Sequence, residues 1–130
     1  MPSNANAAEA YLTSSVENAP PIKIVRMLYQ GALRFIAQAS AEDAGSPTSR
    51  FVELCSNADA IVAELRLALD PKATGGDVVE NLTQLYLFCE SELQRAMLER
   101  STAPLPGVKR VLDTLLAAWQ HVEVETSRAA

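Results

Sequence analysis

Residues 22–39, IKIVRMLYQGALRFIAQA, carry more apolar surface than a helix on the outside of a small bundle can use. At roughly 100° per residue, Lys23, Arg26, Gln30, Arg34 and Gln38 fall within one arc of about 120°. The opposite arc, roughly 180° wide, holds Ile22, Ile24, Val25, Leu28, Tyr29, Ala32, Leu33, Phe35 and Ile36. Met27 falls among the polar residues. An outer helix needs an apolar stripe only somewhat wider than about 100°. The surplus requires cover: either the helix is central in its own fold, or part of its surface meets another chain.

The chain of 130 residues suits one domain with its own core. Aromatics are only 5% and glycines number five, which predicts an aliphatic, alanine-rich and helical interior. The net charge of −5 and a pI near 4.8 argue against nucleic acid as a partner, and no basic stripe reverses the sign locally. No run approaches the ~20 apolar residues of a membrane span, so no membrane insertion is expected. The start, MPSNANAAEA, lacks the cationic and apolar regions of a secretory signal, and the protein reads as cytoplasmic. Cys55 and Cys89 lack companion cysteines and fall on apolar faces, which predicts reduced core thiols.

Residues 1–20 read as a flexible N-terminal segment with room for a short helix at about Ala7–Val16, capped by Asn6. Pro20 and Pro21 then open a long helix to about Ala41, prolines being tolerated where N–H groups lack partners anyway. Ser46 and Pro47 predict the cap and first residue of the next helix, which runs to about Leu69. Its stripe is Phe51, Leu54, Cys55, Ala58, Ile61, Val62, Leu65 and Leu69. Asp77 and Glu80 have capping-box spacing after Gly75–Gly76, and a helix to about Arg100 buries Val78, Leu82, Leu85, Cys89, Leu93 and Ala96. A proline-rich hinge at Thr102–Gly107 precedes a last helix using Val108, Val111, Leu112, Leu115, Trp119 and Val122. The predicted fold is all-α, an antiparallel four-helix bundle with a short additional N-terminal helix or capping segment. The bundle domain spans 21–125, and 126–130 form a disordered tail.

Chemistry is sparse. His121 is the sole histidine, Glu123 and Glu125 follow it closely, and a phosphate-accepting site would want cationic or amide donors there. No Glu-x-x-His pair suggests a di-metal bundle, and no Gly-Lys-Ser/Thr follows Gly75–Gly76. No catalytic residue, metal or cofactor is expected.

Apolar residues are left over instead. Val52, Ala60, Ala63 and Leu67 lie off the stripe of their helix, as do Leu87 and Leu98 off theirs. Strips from neighbouring helices can merge into a groove that accepts an amphipathic partner helix, or face each other inside the bundle. Gly31, at a cost of about 1 kcal/mol against alanine, allows close approach of another chain or of a neighbouring helix.

These residues fall in a familiar order. Ala10–Tyr11, Val16, MLYQGALRFI (Met27–Ile36), ADAIVAELRLALD (Ala58–Asp70) and GGDVVENLTQLY (Gly75–Tyr86), with a terminal helix ending near Trp119, resemble the flagellin-specific export chaperone family FliS. The likeness covers about residues 10–120. It implies a cytoplasmic helical bundle that binds the C-terminal segment of flagellin, prevents premature polymerisation and supports export through the flagellar type III apparatus. It also implies that an N-terminal segment containing Tyr11 lies over part of the same surface. Met27, Leu28, Tyr29, Gly31 and Ala32 match the central motif, and Asn81, Leu82, Leu85 and Tyr86 the later one. Two departures concern the start: Asn6–Ala7–Ala8 stands where a further tyrosine is common, and Pro20–Pro21 where Ser/Thr–Pro is usual.

From pattern and resemblance together, the candidate client-binding residues are Tyr11, Ile24, Met27, Leu28, Tyr29, Gly31, Ala32, Phe35, Val52, Ala60, Ala63, Leu67 and Leu87. A flagellar regulator or an export-gate component would suit the same kind of surface. The alternative is a bundle adaptor or regulator that binds another amphipathic helical peptide.

Overall fold

A computed structural model describes residues 22–70, 72 and 76–129 of the chain. Among them are four helices and no strand: α1 (Ile22–Ser40), α2 (Phe51–Leu67), α3 (Gly76–Glu99) and α4 (Leu105–Ala129). The all-α bundle expected from the sequence is therefore present. The expected helix at Ala7–Val16 lies outside the described residues, as do Tyr11 and Pro20–Pro21.

Each helix packs against two others, α1 against α2 and α4, and α3 against α2 and α4. Contacts fix the directions. Gly31 meets Ile61 at nearly equal distances along the chain from the α1–α2 turn, as in a hairpin. Asp59 and Arg66 of α2 meet Gln94 and Glu90 of α3, in reversed order along the chain. Arg26 and Tyr29 of α1 reach Glu123 and Trp119 of α4, so chain number rises on one helix as it falls on the other. Successive helices thus alternate in direction. The core follows the sequence stripes, with Phe51, Leu54, Cys55, Ala58 and Val62 from α2, and Leu82, Cys89, Leu93 and Ala96 from α3. Val108, Leu112, Leu115 and Trp119 complete it from α4.

Helix ends differ from expectation where side chains compete for the backbone. α2 starts at Phe51, not Pro47, and Ser46 does not cap it. Ser46 Oγ accepts the N–H of Thr48 and the Ser46 carbonyl accepts that of Ser49, so local turns occupy the predicted first turn. Glu42 Oε1 accepts the Arg50 N–H, and the first helical bond runs from Leu54 N–H to Arg50 O. α4 starts at Leu105, earlier than expected, so Pro106 and Gly107 belong to its first turn rather than to a hinge. A proline fits there because its missing N–H would have no helical acceptor. The same helix continues to Ala129, four residues past the boundary expected at 125. α3 ends at Arg100 in a left-handed conformation (φ 51°), and the Ser101 N–H bonds back to Ala96 O.

Candidate functional site

A sealed polar knot sets the spacing of the helices. The hydroxyls of Tyr29 and Tyr86 are 2.6 Å apart, and Trp119 Nε1–H donates to Tyr29 Oη at 3.1 Å. One phenol on α1 thereby ties in α3 and α4. Burial holds the Tyr29 phenol well above its usual range, with Tyr86 adding to the effect, so it stays protonated. At the edge of the same interface, Arg26 Nε donates to both carboxylate oxygens of Glu123, at 3.0 and 3.2 Å.

With the core arranged this way, large apolar side chains are left on the outside of three helices. Ile24, Met27 and Gly31 are spaced i, i+3, i+7 on α1, and Gly31 contacts Ile61, so this strip borders α2. Ala60, Ala63 and Leu67 have the same spacing along α2. On α3, Leu87 precedes Glu90 by three and Gln94 by seven, and Glu90 bonds Arg66 of α2, so this strip borders α2 from the other side. The Gly31–Ile61 and Arg66–Glu90 pairs place Met27, Ala63, Leu67 and Leu87 toward one end of the bundle. Exposure is high for apolar side chains: Leu67 74%, Met27 55%, Ile24 47% and Leu87 41%. Single exposed apolar residues are ordinary, whereas large exposed apolar side chains on three neighbouring helices make a candidate docking surface.

The expected site residues separate into three groups. Ile24, Met27, Ala60, Leu67 and Leu87 are exposed on this face. Leu28, Phe35, Val52 and Ala63 are half-buried, the first three against the core. Tyr29 and Ala32 are fully buried and shape the bundle from within, a correction to their place among surface candidates. Gly31 is buried too, beneath Ile61 of α2, so the close approach it permits is between two helices of this fold. Tyr11 lies outside the described residues.

Three large apolar residues outside that set are also exposed, Val124 of α4 at 51% among them. Leu98, off its helical stripe in the sequence, is 86% exposed near the end of α3. Phe88 was not singled out by pattern; it is 44% exposed and its ring reaches toward Gly107 at the start of α4. The signal was available, since Phe88 lies about 100° from Leu87 and off the core stripe.

Polar chemistry is concentrated on the seam between α2 and α3. Arg66 Nε donates to Glu90 Oε2 at 2.6 Å and Nη2 to Oε1 at 3.2 Å, and Glu90 is nearly buried. Asp59 lies beside them. Burial raises its carboxyl above the ordinary range and the Glu90 charge pushes the same way, against the Gln94 hydrogen bond and the Arg66 charge. Its Oδ1 is buried without a hydrogen-bond partner. Cys55 and Cys89 are buried and free, with thiols pushed up by burial to about 11 and about 12, so they stay protonated and unreactive. His121 is exposed near the end of the last helix. Among the described residues no group of His, Cys, Asp and Glu is placed to hold a metal, and no helix is long and apolar enough to cross a membrane.

Comparison with known proteins bears on what this face is for. A family model described as flagellar protein FliS matches residues 4–126. The flagellar secretion chaperone FliS of Campylobacter jejuni is 33% identical over 116 residues, covering 89% of this chain and 90% of that protein. The flagellar secretion chaperone FliS of Vibrio cholerae is 30% identical over 121 residues, covering 90% of this chain and 88% of that protein. The flagellar secretion chaperone FliSB of Pseudomonas aeruginosa is 28% identical over 111 residues, covering 85% of this chain and 87% of that protein.

Proposed function

The chain belongs to the FliS family of flagellar secretion chaperones, and from that premise we propose that it binds the C-terminal region of flagellin in the cytoplasm. The observation that carries this reading is the apolar face formed by Ile24 and Met27 of α1, Leu67 of α2 and Leu87 of α3. An amphipathic client helix lays its apolar side into such a face through residues spaced i, i+3, i+4 and i+7. A subunit that polymerises exposes apolar ends before assembly. Covering them lowers the concentration of assembly-competent subunit by mass action and calls for no catalytic group or cofactor. Ordering a disordered client tail costs part of the contact energy, which keeps the complex releasable at the export apparatus. The same face suits a flagellar regulator or an export-gate component that presents an equivalent helix.

The test is titration of the full chain with a synthetic peptide spanning the flagellin C-terminal region. At a hundredfold excess over Kd, binding stabilises the fold by about 2.7 kcal/mol and raises the thermal midpoint by several degrees. Leu67→Asp and Leu87→Asp abolish that rise while leaving the midpoint of the free protein nearly unchanged, because both side chains face solvent. An unmoved wild-type midpoint at saturating peptide overturns the proposal.

A further inference from the structure

Asp59 lies on the side of α2 that faces α3, flanking the strip of Ala60, Ala63 and Leu67. Val52 lies seven residues before it and Ala63 four after, so the three share one side of the helix. Its Oδ1 is closed off from water and has no hydrogen-bond partner, while the residue as a whole keeps part of its surface exposed. The groups acting on it are few: Arg66 from its own helix, and Glu90 and the neutral Gln94 from α3. Arg66 is committed to Glu90 by two bonds. Two carboxylates thus share one guanidinium, and the carboxylate left over is Asp59.

A peptide laid along this seam removes the water that Asp59 retains. A wholly apolar peptide would strand an ionised carboxylate, one of the costliest outcomes of burial. A lysine or arginine at that point brings both the missing positive charge and N–H donors. We infer that Asp59 selects a cationic side chain on the docked segment, an inference that rests on the docking reading above. The competing outcome is that the carboxyl takes up a proton when covered. The two differ in sign. Burial within the bundle already raises the Asp59 carboxyl, and a docked cation draws it back down, so complex formation in mildly acid solution releases protons. Stranding raises it further, and complex formation takes protons up.

Calorimetric titration of the full chain with the flagellin C-terminal peptide, at pH 5 in two buffers of different ionisation enthalpy, reads that sign. Wild type is expected to release protons, and Asp59→Asn to lose the release while keeping its helical circular dichroism. At pH 7, Asp59→Asn is expected to weaken binding on the order of tenfold or more. Glu64→Gln, at an exposed carboxylate on the same helix, leaves affinity unchanged. Replacing the basic residues of the peptide by norleucine erases the difference between wild type and Asp59→Asn. Proton uptake, or equal peptide affinity at pH 7 for wild type and Asp59→Asn, overturns the inference and leaves the docking reading standing. Failure of the wild-type protein to bind the peptide overturns both.

Discussion

The interior around Tyr29, Tyr86 and Trp119 and the outer face around Ile24, Met27, Leu67 and Leu87 are both made of large apolar side chains on the same helices. Their fates are opposite. The interior trio is essentially solvent-free and even its polar atoms are paired with one another, whereas each of the outer four keeps at least 41% of its surface exposed. Residue type therefore does not separate core from exposed face here; position around each helix does. Tyr29 and Met27 are two residues apart, about 200° around α1, and only one of those directions has a neighbour in the fold.

Substitutions on the two sides sharpen the contrast. Trp119→Ala is expected to cost about 3–5 kcal/mol in urea unfolding, because it empties the junction of three helices. Leu67→Ala is expected to stay within about 0.5 kcal/mol. Comparable losses for both would mean that the outer face is core after all. A smaller effect isolates the polar knot: Tyr29→Phe keeps the ring but removes the hydroxyl that accepts from Trp119 and bonds Tyr86, at about 1–3 kcal/mol. A neutral result would show that the ring alone sets the helix spacing. An effect of opposite sign lies where the two regions meet. A Cβ at Gly31 would lie 3.4 Å from Ile61 Cδ1 and 3.9 Å from the end of Arg34, both flexible side-chain tips. Gly31→Ala is therefore expected to raise stability by up to about 1 kcal/mol through helix propensity. A loss instead would show that α1 and α2 tolerate no added methyl.

Much of the fold was legible because amphipathic periodicity is a local property. Most residues of the α2, α3 and α4 stripes are buried, although Ile61, Leu69, Val78, Leu85 and Val111 are only half-buried. Val79 and Tyr86 are buried beside them, and surplus surface at Leu67, Leu87 and Leu98 is visible as residues off those stripes. The α2 start was misplaced because Ser46, Thr48 and Ser49 offer the backbone competing hydrogen bonds that a cap rule does not weigh. Tyr29 and Ala32 match the family's central motif, and neither that motif nor a broad apolar arc distinguishes a residue that meets a partner from one that shapes the bundle.

Spacing along the chain was enough to dictate four amphipathic rods, the side of each that turns inward, and more greasy area than those rods need. It could not dictate which leftover strips adjoin. That was decided by register between helices: Gly31 against Ile61 and Arg66 against Glu90 bring strips from three helices onto one side. The same pairing leaves Asp59 beside a guanidinium already engaged elsewhere. The physical reason is one of range. Helical periodicity acts over a few residues, while adjacency depends on packing between segments tens of residues apart.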